Sequence, residues 1–70
     1  MLSSWDTARL AQAYGLAKRD VAADALVVAQ WRGPSDDLLA FLEKKHHWSA
    51  GPAFKYLRTL RRALLGQLPR

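Results

Sequence analysis

An all-α domain, a small four-helix bundle-like unit with short loops, is the fold class this sequence predicts. Three observations carry it. Apolar residues recur at intervals of three and four, as in Val21, Ala25 and Val28 or Leu57, Leu60 and Leu64, which is the period of a helix face. No segment alternates apolar and polar residues long enough to make a strand, and no stretch of 20–50 residues repeats. Gly15, Gly33-Pro34 and Gly51-Pro52 punctuate the chain at helical lengths.

The first helix is expected over residues 4–14. Ser3 or Ser4 can cap it, and Asp6 lies near its positive N-terminal end. Trp5, Ala8, Leu10, Ala11 and Tyr14 supply its helical pattern, and Gly15 stops it by taking the left-handed conformation. The second helix is expected over residues 18–32. Val21, Ala25, Val28 and Trp31 or Arg32 mark one side of it, and Ala22, Leu26 and Ala29 another. From Ala25 to Ala29 it is apolar all round, the composition of a helix that is buried or lies in a subunit interface. Gly33-Pro34 ends it, because the residue before a proline is driven out of the helical region.

Ser35 is the expected cap of a third helix over residues 35–46, with Asp36 and Asp37 in its first turn and Lys44 and Lys45 in its last, as the macrodipole favours. Leu38, Leu39, Phe41 and Leu42 form its apolar side. The fourth helix is expected over residues 50–66. Ser49 or Gly51 is its cap, Pro52 stands in its first turn, and Gly66 and Pro69 lie at and beyond its end. Lys55, Arg58 and Arg62 share one of its faces, flanked by Arg61, and Phe54, Leu57, Leu60, Leu64 and Leu68 line the other.

Seventy residues make one small domain, and a chain this short buries only about 60% of the surface it exposes when unfolded. With no cysteine, no disulfide staples the chain and no thiolate holds a metal. Half of the residues are apolar, so some apolar surface is expected to remain, and a homo-oligomer is the usual way to cover it. The formal net charge is +5 and the isoelectric point about 10.3. Residues 1–43 hold all six carboxylates, whereas residues 44–70 hold seven Lys and Arg and no acid. Such polarity points to nucleic acid, an anionic membrane or an acidic protein. No apolar run approaches the ~20 residues of a membrane span, so a membrane role is disfavoured. No signal-peptide pattern opens the chain, and a cytoplasmic location is the expectation.

Residues 7–26 carry a local pattern. Leu10-Ala11 pairs an apolar with a small residue, Gly15 allows a turn, and Leu16 and Val21 can dock a second helix on the first. This pattern resembles the helix-turn-helix of DNA-binding proteins. The resemblance implies a compact regulator or accessory factor that acts as a homodimer, with Lys18 and Arg19 entering the major groove of duplex DNA. Lys55, Arg58, Arg61 and Arg62 would then grip the phosphate backbone. Two features depart from the pattern. Asp24 stands where the motif has an aliphatic residue, and Ala17, Ala22, Ala23 and Leu26 cannot make the bidentate bonds that identify bases.

The alternative is a protein-interaction module, an adaptor or inhibitor, docking on an acidic partner. Trp31, Arg32 and Trp48 are its candidate contacts, since tryptophan and arginine are enriched at binding hot spots. For the three tryptophans, Trp5 included, sealing the helix junctions is the commoner role. His46-His47 points in two directions on a helix and does not chelate one ion, so no metal site is expected. Asp36-Asp37 is explained by the helix dipole. Asp20 and Asp24, four apart, repel slightly and are expected to meet Arg9, Arg32 or a basic face of a second subunit. No nucleophilic cysteine, phosphate-cradling glycine loop or zinc-binding helix motif is present, so no catalysis and no cofactor are expected. A unit this small also has little expected room for a pocket of ~300 Å³ or more.

Overall fold

In the computed structural model, which describes residues 2–68, the chain forms four α-helices: α1 Ser4–Tyr14, α2 Lys18–Gln30, α3 Ser35–His46 and α4 Ala50–Leu64. No strand occurs among the described residues. Pro69, expected beyond the end of the last helix, lies outside them, as does Arg70.

Local chemistry sets most of the helix ends. The Ser3 side chain accepts from the Asp6 N–H at 3.1 Å and caps α1. Gly15 closes α1 in the left-handed conformation (φ 66°), and the Gly15 and Leu16 N–H groups both reach the Ala11 carbonyl. α2 stops at Gln30, two residues short of the expected end. Trp31 is already extended there (ψ 129°), and its indole N–H donates to the Pro34 carbonyl at 3.1 Å, which closes the turn into α3. Ser35 is not the cap of α3. Pro34 holds that position, Ser35 is the first helical residue, and the Ser35 hydroxyl accepts from Arg61 on α4 instead. His47 ends α3 with a positive φ of 57°. Ser49 precedes α4 without a side-chain capping bond, and α4 ends at Leu64, also two residues short.

α4 is the hub of the packing. It lies against α1, α2 and α3, and α1 also packs on α2. Ser35 meets Arg61 at one end while His46 meets Tyr56 further up, so α3 and α4 run antiparallel. The core joins Leu10 and Ala11 of α1, Val21, Ala25 and Val28 of α2, Leu38 and Leu42 of α3, and Tyr56, Leu57, Leu60 and Ala63 of α4. A radius of gyration of 11.0 Å matches the ~11 Å of a compact chain of this length.

Three burial expectations are corrected. Phe54 is exposed, and Ala53, Tyr56 and Ala63 take the inward side of α4 that it was expected to share. The apolar segment of α2 is not enclosed: Ala25 and Val28 are buried, but Leu26 and Ala29 face solvent. Trp5 seals no junction, being 58% exposed. Trp48 does seal one, half-buried among the rings of Tyr14, His46 and Tyr56.

Candidate functional site: the outer face of α4

α4 divides cleanly because its period is helical. Ala53, Tyr56, Leu57, Leu60 and Ala63 point inward. One hundred degrees per residue then places Phe54, Arg58, Arg61, Arg62 and Leu65 on the outward side, with Lys55 at its edge. All six are exposed. Phe54 is 54% and Leu65 71% exposed, so two large apolar groups stand within the cationic stripe. Phe54, Arg58, Arg61 and Leu65 follow one another at steps of four, three and four. At 1.5 Å per residue the two apolar ends lie about 16 Å apart along the axis.

The charges of this face are not consumed by the fold. Lys45 and His46 form ion pairs with Asp24, not with any residue of this face. Among the described residues, Lys55, Arg58 and Arg62 have no ion pair or side-chain hydrogen bond. Arg61 donates to the neutral Ser35 hydroxyl at 3.3 Å and keeps its full charge. No acid lies on α4 to offset them.

Asp24 explains where part of the negative charge has gone. It is fully buried. Tyr56 donates to its Oδ2 at 2.6 Å, His46 Nε2 to the same oxygen at 2.7 Å, and Lys45 Nζ to Oδ1 at 2.5 Å. The expectation that Asp24 meets Arg9, Arg32 or a second subunit is therefore corrected, since its partners come from α3 and α4 of its own chain. His46 is likewise more than a polar helix end. Its side chain is buried, stacked on Trp48 at 4.6 Å and edge-on to Tyr56 at 5.6 Å. Burial and the neighbouring Asp24 carboxylate hold the Tyr56 hydroxyl far above the usual tyrosine range. The network ties α2 to α3 and α4 and lies inside the molecule, away from the outer face. Among the described residues no group of three or more His, Asp or Glu is placed to hold a metal.

The other candidates are dispersed. Lys18 and Arg19 are exposed in the first turn of α2, next to the turn at Gly15. Arg32 is exposed beside the α2–α3 turn. Trp31 is held by the Pro34 carbonyl and leans on Phe41, with ring centres 6.3 Å apart. Trp48 belongs to the inner aromatic cluster. Neither indole is offered freely to a partner, whereas Phe54 and Leu65, which sequence reasoning did not place on a binding surface, are. The signal for them was available: each falls within one helical turn of Arg58, Arg61 or Arg62 on the same side.

The expected lack of room for a pocket is also corrected. A cleft of about 360 Å³ opens between α1 and α4, and one of similar volume lies beside Trp31. No helix among the described residues is long and apolar enough to cross a membrane. Comparisons with protein-family models, with curated proteins and with solved structures find no match to this chain.

Proposed function

We propose that this chain is a non-catalytic binding module that docks the outer face of α4 on an acidic partner protein. One observation carries the reading: Phe54 and Leu65 are exposed on the same face as Arg58, Arg61 and Arg62. Phosphate backbones ask for cations and hydrogen-bond donors, not for exposed apolar groups. Exposed apolar anchors spaced along a helix are what a protein groove takes, and surrounding charges speed the encounter. In this reading Phe54 and Leu65 fill pockets of the partner while the guanidinium groups meet its acidic rim.

The test is affinity capture from a nuclease-treated lysate of the producing cell. Three baits are compared: the wild type, Arg58→Glu with Arg62→Glu, and Phe54→Ser with Leu65→Ser. The expected result is one acidic protein held by the wild type and lost by both double variants. A protein held equally by all three baits, or none held once nucleic acid is removed, would overturn the reading.

A second reading, a cytoplasmic DNA-binding regulator of helix-turn-helix type, is supported by the left-handed turn at Gly15 and the exposed Lys18 and Arg19 after it. Here Lys18 and Arg19 enter the groove and α4 holds phosphates. It requires affinity for duplex DNA that falls with salt at a slope of roughly −4 to −5, as for neutralising about five phosphates. It also requires insensitivity to Phe54→Ser with Leu65→Ser, which the docking reading forbids for its own partner. Anisotropy with duplex DNA at ~50 mM salt, where phosphate binding is strong, decides it.

A further inference from the structure

Trp31 borders two clefts at the end of α2. Val27 and Gly33 complete the walls of one, of about 360 Å³, and Ala29 those of the other, of about 580 Å³. Gln30 and Arg32 border both, and no acid lines either. Both volumes fall within the range of small-molecule sites.

The indole is placed in advance. Its N–H is held by the Pro34 carbonyl at 3.1 Å, and Phe41 leans on the ring with centres 6.3 Å apart. Gly33 sets no side chain against it, whereas a Cβ there would stand 3.4 Å from the indole nitrogen. A ring already fixed loses little freedom when a ligand arrives. What it offers best is a face on which a second flat ring stacks.

The residues on either side supply the polar groups. Arg32 is exposed and, among the described residues, has no ion pair or side-chain hydrogen bond. An open guanidinium presents a fork of donors that matches a phosphate. Gln30 is exposed, and its amide both donates and accepts, the combination that the edge of adenine takes. The Gln30 carbonyl is a further acceptor. Pro34, four residues on, has no N–H to return to it, and no turn or loop N–H among the described residues reaches it.

We propose that this end of α2 binds an adenine nucleotide, its base stacked on Trp31, its edge at Gln30 and its phosphate on Arg32. A bare anion would use Arg32 alone, whereas the nucleotide uses all three residues that border both clefts. The site lies off the outer face of α4 and does not rest on the docking reading.

Amide and indole NMR titration of the full chain with adenosine monophosphate tests it. The expected result is saturable shifts at the Trp31 indole N–H and at Gln30 and Arg32. Adenosine and ribose phosphate should each bind at least ~10-fold more weakly, the effect of losing one charged contact or one stacked base. Arg32→Gln, at an exposed position, should bring adenosine monophosphate down to the affinity of adenosine. A terminally phosphorylated adenine dinucleotide shares the chemistry, and whichever of the two binds tighter tells a free nucleotide from the end of a strand as the source. Phe54→Ser with Leu65→Ser should leave nucleotide binding unchanged, which separates failure of this site from failure of the docking reading. Absence of saturable shifts by ~10 mM adenosine monophosphate, too weak for a specific site, would overturn the proposal. So would ribose phosphate binding as tightly as the nucleotide, an unchanged affinity in Arg32→Gln, or shifts centred on Arg58, Arg61 and Arg62.

Discussion

Asp24 has no solvent contact, and three donors from two other helices account for how the core holds it. Removing the carboxylate leaves the Tyr56 hydroxyl and His46 Nε2 buried without their acceptor, while the half-buried Lys45 can turn to water. Asp24→Ala should therefore cost about 3 kcal/mol, near the lower end for breaking a buried pair, read from the urea midpoint at unchanged m-value. Tyr56→Phe removes one donor of three and should cost about 1–2 kcal/mol. The raised Tyr56 ionisation carries a pH signature. The folded state keeps this proton longer than the unfolded chain does, so the associated stability is complete below the ordinary tyrosine pKa of ~10 and declines as pH rises above it. Thermal unfolding of the wild type should fall more steeply above pH ~10 than that of Tyr56→Phe, and parallel curves would count against this assignment. None of this was legible in the sequence, where Asp24 reads as a misplaced polar residue. Its partners stand 21, 22 and 32 positions away, and no local pattern reports on them.

Helix ends are decided one element at a time, and here the sequence spoke more clearly. Glycine at position 15 sits at φ 66° with open space around it, so Gly15→Ala should lose about 1–2 kcal/mol through backbone strain alone. His47 makes the converse case. It holds φ 57° with an exposed side chain, and His47→Gly should raise stability by up to about 1 kcal/mol, measurable by denaturant titration. At the end of α2 and the start of α3, where the expected boundary was missed, a side chain from outside the helix intervened. The Trp31 indole reaches the Pro34 carbonyl and draws the chain out of α2 early. The Ser35 hydroxyl is engaged by Arg61 rather than by its own helix. A capping rule sees only neighbours in sequence, so it misses a competitor supplied by the fold.

At the scale of the whole molecule, the charge polarity of the chain becomes a surface. Two of its six acids, Asp6 and Asp24, are buried, while Lys55, Arg58, Arg61 and Arg62 are all exposed. If the outer face of α4 serves binding and not folding, Arg58→Glu with Arg62→Glu and Phe54→Ser with Leu65→Ser should each stay within about 1 kcal/mol of wild-type stability, the sum of two surface changes. A larger loss in either variant would mean that the face supports the fold. The sequence by itself determined the helix count, most of the breakpoints and the gathering of cations on the last helix, because glycine, proline and a period of 3.6 act within one element. Tertiary packing alone decided which side of α4 turns inward. Leu57 and Leu60 can be extended into a stripe with Phe54 and Leu64 or into one with Ala53, Tyr56 and Ala63, and both satisfy the same helical spacing. The second was taken: small alanines lie against the neighbouring helices, and Tyr56 reaches the buried Asp24 carboxylate. That choice leaves Phe54 in solvent among the arginines, a position no reading of α4 in isolation distinguishes from the core.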